Sequence, residues 1–301
     1  MSLGIARNSS PSNVTRSLPL SPGTVGLKPT YGRVSRHGVL PLGYSLDHVG
    51  PLTRTVRDAA RCLNAVAGFD ARDPGSSRRP AEDFVPEAGC SIRGMRIGVP
   101  ENFFFEYVQE DVERAVRGAI ARAEELGAEV MPVRVPDMTA LNAIARMVLL
   151  SEAAAVGEGF VDRRDELGPD VLALLDQGRL VAAADYVNAQ RLRRQLRNEF
   201  RSVWQKVDYL LTPATPTVAP RIGQTTVRLG GREEDVRLAT TRLARGVNAL
   251  GFPALSMPCG LSDALPVGLQ IIGQAFDEVR ILRLGAALED AGVGIPPCPL
   301  A

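Results

Sequence analysis

Between residues 110 and 126 the apolar side chains Val112, Ala115, Val116, Ala119, Ile120, Ala123 and Leu126 recur every three or four positions. That period lines one face of an α-helix. Acidic residues lead its first turn, and Gly127 stands where a left-handed cap would end it. On either side, residues 95–100 and 129–133 are short apolar runs of strand length. A strand, a helix and a returning strand predict a parallel crossover and an α/β fold.

Residues 139–207 read as mostly helical. The last helix there puts Tyr186, Ala189, Leu192, Leu196, Phe200, Val203 and Val207 on one face. Arg191, Arg193, Arg194, Arg197 and Arg201 crowd its other sides. A solvated helix face is the reading taken for them, and a basic functional patch is the alternative. A strand over 208–212 then runs into the proline-rich stretch 213–220. A helix over 240–250, buried strands over 254–258 and 267–272, and a closing helix over 277–290 complete the chain. Residues 8–22, rich in serine and proline, have no period and read as irregular. The organisation expected is an irregular segment 1–22 followed by a single domain portion over 23–301.

Composition narrows the function classes. The chain has 301 residues, is 45% hydrophobic and 23% charged, and has a formal net charge of +1. Disorder and dedicated nucleic-acid binding are both poor fits to those values. The most apolar stretch, 141–160, is broken by Arg146, Glu152 and Glu158, so no membrane span is expected. No secretory pattern opens the sequence, and a cytoplasmic location is the expectation. Cys62, Cys90, Cys259 and Cys298 are too scattered for a disulfide framework or a zinc site. Lysine occurs only at Lys28 and Lys206.

The sequence contains no nucleophile elbow, phosphate loop or zinc-protease motif. With only His37 and His48 available, a Ser–His–Asp triad has few bases to draw on. Surface or turn roles are expected for both histidines.

Longer strings carry more. GLKPTYGRVSR (26–36), SLDHVGPLTR (45–54) with Asp58 beyond it, VDYLLTPATP (207–216), residues 248–260 and LPVGLQIIG (265–273) occur in this order. So arranged, they resemble the amidase signature family over about residues 23–295. The resemblance implies a mixed, twisted sheet flanked by helices and cleavage of carboxylic amide C–N bonds, with no metal or organic cofactor. Some members act within the A subunit of a tRNA-dependent amidotransferase, but the middle helices here look more like those of a general amidase. Family members use a nucleophilic serine, a bridging serine and a lysine base, with backbone N–H groups stabilising the oxyanion.

Counting back from Gly26 puts Arg16 on the signature arginine, Val14 on the nucleophile, and Ser12 and Asn13 on two glycines. Valine cannot attack a carbonyl. Lys28 and Lys206 match neither the position nor the context of the catalytic lysine. No residue is therefore assigned a catalytic role. The resemblance implies an amidase-family hydrolase whose catalytic serine and lysine this chain does not supply. A non-catalytic binding or interaction module is the alternative. A shortened reading of a longer gene and a natural half-length protein both remain open as its origin. Substrate-pocket candidates are Asp47, Thr212, Thr215 and Asn248, at the ends of matching strings. For Asp47 and Asn248, satisfying backbone groups in turns is the competing role. The expected partner is a small-molecule amide, with neither nucleic acid nor membrane. Self-association, or pairing with a missing N-terminal half, would follow from apolar surface left open at 25–42 and 254–257.

Overall fold

The computed structural model describes residues 23–295, so the 1–22 segment, with Arg16, and Cys298 lie outside the described residues. The strands are β1 (Val25–Lys28), β2 (Leu52–Thr53), β3 (Arg96–Pro100), β4 (Glu129–Val133), β5 (Tyr209–Pro213), β6 (Thr226–Leu229), β7 (Arg232–Asp235), β8 (Ala254–Ser262) and β9 (Leu265–Gly273). Seven of them form one mixed sheet in the order β2-β1-β8-β9-β5-β3-β4, and β6 and β7 form a separate hairpin. β3 runs parallel to β4 and to β5, and the other pairings are antiparallel.

The expected crossover is present as β3, then α2 (Glu110–Glu125), then β4. Helices α1 (Val56–Val66), α2 and α7 (Glu278–Asp290) cover one face of the sheet, where Tyr209, Leu211, Leu255, Leu269 and Ile271 point. α1, not anticipated as a helix from the sequence, is capped by Thr55, whose hydroxyl accepts from Asp58 N at 3.1 Å. Helices α3 (Met138–Gly157), α5 (Ala183–Lys206) and α6 (Val236–Leu250) cover the other face, receiving Leu210, Ala254 and Ile272. The side chains alternate between these two cores because successive strand residues point to opposite faces.

Between α3 and α5 lie a 3-10 stretch (Glu158–Glu166) and α4 (Pro169–Arg179), so the 139–207 region is helical as expected. Leu192 departs from the sequence reading: it is 48% exposed, while Ala189, Leu196, Phe200 and Val203 of its helix are buried. One described helical run, Met138–Glu166, is long and apolar enough to cross a membrane, with 56% of its most apolar window buried inside the fold. α4 packs tightly on α3. A Cβ at Gly178 would stand 2.0 Å from Leu150 O and 2.8 Å from Ala154 Cβ. Gly178→Ala is therefore expected to lower stability by about 1–3 kcal/mol, read as a lower urea midpoint at unchanged slope.

The two strings expected to stand uncovered are mostly covered. Val25, Leu27, Ala254, Leu255 and Met257 are buried because β1 and β8 run through the middle of the sheet. Val39 and Leu40, in the loop after β1, are the exposed part. The sheet edges are blunted: β2 is two residues long and β4 carries Pro132, which has no N–H to offer.

Candidate functional site

A polar row crosses the α6-side face of the sheet. Gly26 of β1 pairs with Ser256 of β8, Ser256 with Gln270 of β9, and Gln270 with Thr212 of β5. Paired residues share a face, so these side chains stand in file beneath α6. Gln270 Nε2 donates to Thr212 Oγ1 at 3.0 Å and to Leu243 O of α6 at 3.5 Å, which fixes the amide's orientation. Its Oε1 is buried without a partner. In the same direction from β1 lies Lys28, 1% exposed, whose ammonium donates to Phe252 O just past the end of α6. Gly251 ends that helix in the left-handed region at φ 69, which turns the chain back into β8. Burial lowers Lys28 to about 7, against the opposing pull of Glu278.

Above this row sits the loop from Gly43 to Gly50. The Asp47 carboxylate accepts from Leu42 N at 2.9 Å and Gly43 N at 3.1 Å, and burial pushes it above the usual range. His48 Nδ1 lies 2.7 Å from Leu46 O. A carbonyl only accepts, so Nδ1 carries the proton and Nε2 is a bare acceptor, buried without a partner. Expected in a surface or turn role, His48 is half-buried in its loop, with Nε2 the enclosed end of the ring. It lies edge-on to Tyr31 at 5.5 Å, and burial, reinforced by Lys28, drives it well below its ordinary pKa. Asn248 Nδ2 of α6 donates to the same Leu46 O at 3.1 Å and leaves its Oδ1 buried and unpaired.

The loop is tied to the helices by Glu152 of α3, which accepts from Ser45 N (2.9 Å), Ser45 Oγ (2.6 Å) and Tyr186 OH (2.9 Å). Arg193 of α5 donates to Ser45 Oγ and Ser45 O, both at 2.8 Å, and to Ala249 O.

Of the four pocket candidates drawn from the sequence, three are joined through α6. Asn248 meets the Asp47 loop at Leu46 O, and Thr212 reaches α6 through Gln270. Thr215 stands apart in the loop after β5, its hydroxyl donating to Thr217 O at 2.7 Å. The Asp47 carboxylate accepts from backbone N–H groups of its own loop, and Asn248 Nδ2, on α6 rather than in a turn, donates to a backbone carbonyl.

The Amidase family matches residues 21–282. The chain belongs to the amidase family. An amidase of Pseudomonas putida is 41% identical over 272 residues, covering 89% of this chain and 58% of its own. The A subunit of the glutamyl-tRNA(Gln) amidotransferase of Roseiflexus castenholzii is 38% identical over 292 residues, with coverages of 89% and 58%. A solved chain from a vestigial protein complex, described as revealing the evolutionary origins of an s-triazine catabolic enzyme, superposes with a TM-score of 0.85. It is 33% identical, and the match covers 92% of this chain and 60% of that one. This chain thus spans under two thirds of the length of each.

Within the amidase fold, the GLKP, DYLLTP, ALSMP and PVGLQIIG strings fall on β1, β5, β8 and β9, which are neighbours in the sheet. Lys28, His48 and Gln270 were missed as members of this buried polar group. A lysine inside an otherwise apolar strand, in a chain with only two lysines, was the available signal for Lys28. Nothing local marks His48 or Gln270, whose burial depends on α6 and the 43–50 loop. Among the described residues no cluster of three His, Cys, Asp or Glu could hold a metal ion.

Proposed function

We propose that this chain forms the floor and one wall of the pocket of an amide-hydrolysing enzyme, with a small carboxylic amide as substrate. The observation that carries the reading is the polar row of β8, β9 and β5 beneath α6, with buried, unpaired acceptors at Gln270 Oε1, Asn248 Oδ1 and His48 Nε2. Unpaired buried acceptors cost free energy until a donor reaches them, and amide N–H groups are such donors. Counting back from Gly26 puts Val14 at the place of the family's nucleophile, and that count is the support for a chain that binds amides without cleaving them.

Calorimetric titration with aliphatic and aromatic amides, alongside an assay for released ammonia, tests this. Saturable binding without ammonia release is the expected result. Gln270→Leu removes one acceptor and is expected to weaken that binding by about tenfold. Ammonia release by the pure protein would refute the missing-nucleophile part. Absence of amide binding would refute the pocket itself.

A further inference from the structure

Helices α3 and α6 pack closely: Asn142 Nδ2 donates to Arg242 O at 2.9 Å, and a Cβ at Gly246 would stand 2.7 Å from Met138 Cε. Two arginines meet along this seam. Arg245 of α6 is half-buried, and its Nη2 donates to Thr241 Oγ1 and Leu238 O, so the guanidinium lies back along the helix. Arg146, exposed on α3, donates to Gln177 Oε1 at 3.3 Å. Neither arginine has an ion pair with any described residue. Burial first, and Arg146 second, lower Arg245 to about 10. A guanidinium withdrawn from water against a like charge is costly unless an anion joins it. Arg33 and Arg193, also withdrawn from water, have Glu278 and Glu152 to hand.

Thr241, Arg245 and Asn248 follow one another on α6 at four- and three-residue steps, which puts them on one stripe of the helix. Asn248 is 3% exposed, with Oδ1 buried and unpaired. The 43–50 loop closes that end of the stripe through Leu46 O. Leu238 and Arg146 are exposed, so the other end is open. The stripe thus holds an unmet acceptor at its closed end and an unmet cation toward its open end. Three residues of rise and the backward reach of arginine separate the two by on the order of 5–10 Å.

We propose that this stripe selects amides that also carry a carboxylate, an inference that rests on the amide binding proposed above and narrows its substrate class. The acid group lies on Arg245 and Arg146, and an amide N–H lies on Asn248 Oδ1. A neutral amide would meet the acceptor and leave the cations bare. A free inorganic anion would meet the cations and leave the acceptor bare. A monoamide of a dicarboxylic acid with about four to six carbons satisfies both at this spacing.

Calorimetric titration at neutral pH compares succinamate, glutaramate and adipamate with butyramide, a neutral amide of similar size, and with inorganic phosphate. At least one acid amide is expected to bind about tenfold or more tightly than butyramide, and the margin should shrink as salt is raised. Arg245→Met should bring the two within about twofold of each other, and Arg146→Met should reduce the margin severalfold. Arg245→Lys keeps the charge and should retain part of the margin, and thermal melts verify that each variant is folded. Equal binding of acid amides and butyramide by the wild type overturns this proposal and leaves the amide pocket standing. No binding of any amide overturns both. A margin that survives Arg245→Met, or phosphate binding tighter than every acid amide, also overturns it.

Discussion

Replacing Glu278 with glutamine is expected to destabilise this protein by about 3–5 kcal/mol, because it breaks a buried ion pair from one side. Glu278 opens α7 and is 0% exposed. One carboxylate oxygen accepts from Thr30 N at 2.7 Å, and the other from Arg33 Nε at 3.4 Å and Nη2 at 3.3 Å. Arg33 is itself 2% exposed and lies over the rings of Phe84 at 5.3 Å and Phe276 at 5.0 Å. Among the described residues, Pro80 O and Glu82 supply its further acceptors. Glutamine keeps the shape of the side chain and removes its charge, which leaves the guanidinium buried without its main counter-ion. The double variant Arg33→Met/Glu278→Leu removes both charges and should be less destabilised than Glu278→Gln alone. Urea denaturation of wild type, Arg33→Met, Glu278→Leu and the double variant measures the coupling. A loss below about 1 kcal/mol in Glu278→Gln would mean that the pair does not hold the 30–33 turn onto α7.

Stability is also expected to rise with pH from 7 to 9, by about 2–3 kcal/mol. Lys28 falls from 10.5 to about 7 in the folded chain because burial disfavours its ammonium. Between those values the unfolded chain holds a proton at this site that the folded chain has released. Raising the pH therefore favours folding, and the gain is lost again as pH falls toward 7. Above pH 9 the Cys259 thiol, pushed up to about 12 by burial, acts in the opposite sense. Below 6.5 His48, held neutral by burial, adds a further loss. The window from 7 to 9 thus isolates Lys28. Chemical denaturation across that window should show the slope in wild type and a flat line in Lys28→Met. A flat wild-type profile would place a charged ammonium beside Glu278.

Local elements follow from residue spacing without reference to the rest of the fold. Apolar residues three and four apart specify α2 and most of α5. Alternating and continuous apolar runs specify β3, β4, β5, β8 and β9, and short connections around α2 specify a parallel crossover. Each of these rests on spacing within a dozen or so residues, where backbone geometry alone decides which side chains share a face. The matching strings likewise carried family membership without any coordinates. α1 was not recovered although Val56, Ala59, Ala60 and Leu63 stand at helical spacing, and the four-residue strands of the β6–β7 hairpin are too short to show a period.

The buried polar row, by contrast, exists only through long-range packing. Thr212, Ser256 and Gln270 are far apart in the chain and meet because β5, β8 and β9 are adjacent and in register. Lys28 and Asn248 have ordinary local contexts, and their burial, like the enclosure of His48 Nε2, is imposed by α6 and by a loop pinned to Glu152 and Arg193. Leu192 lies on the same stripe as buried neighbours but faces outward, because no described element packs over that part of α5. Burial of a side chain is a property of what lies across from it, and one-dimensional spacing does not contain that.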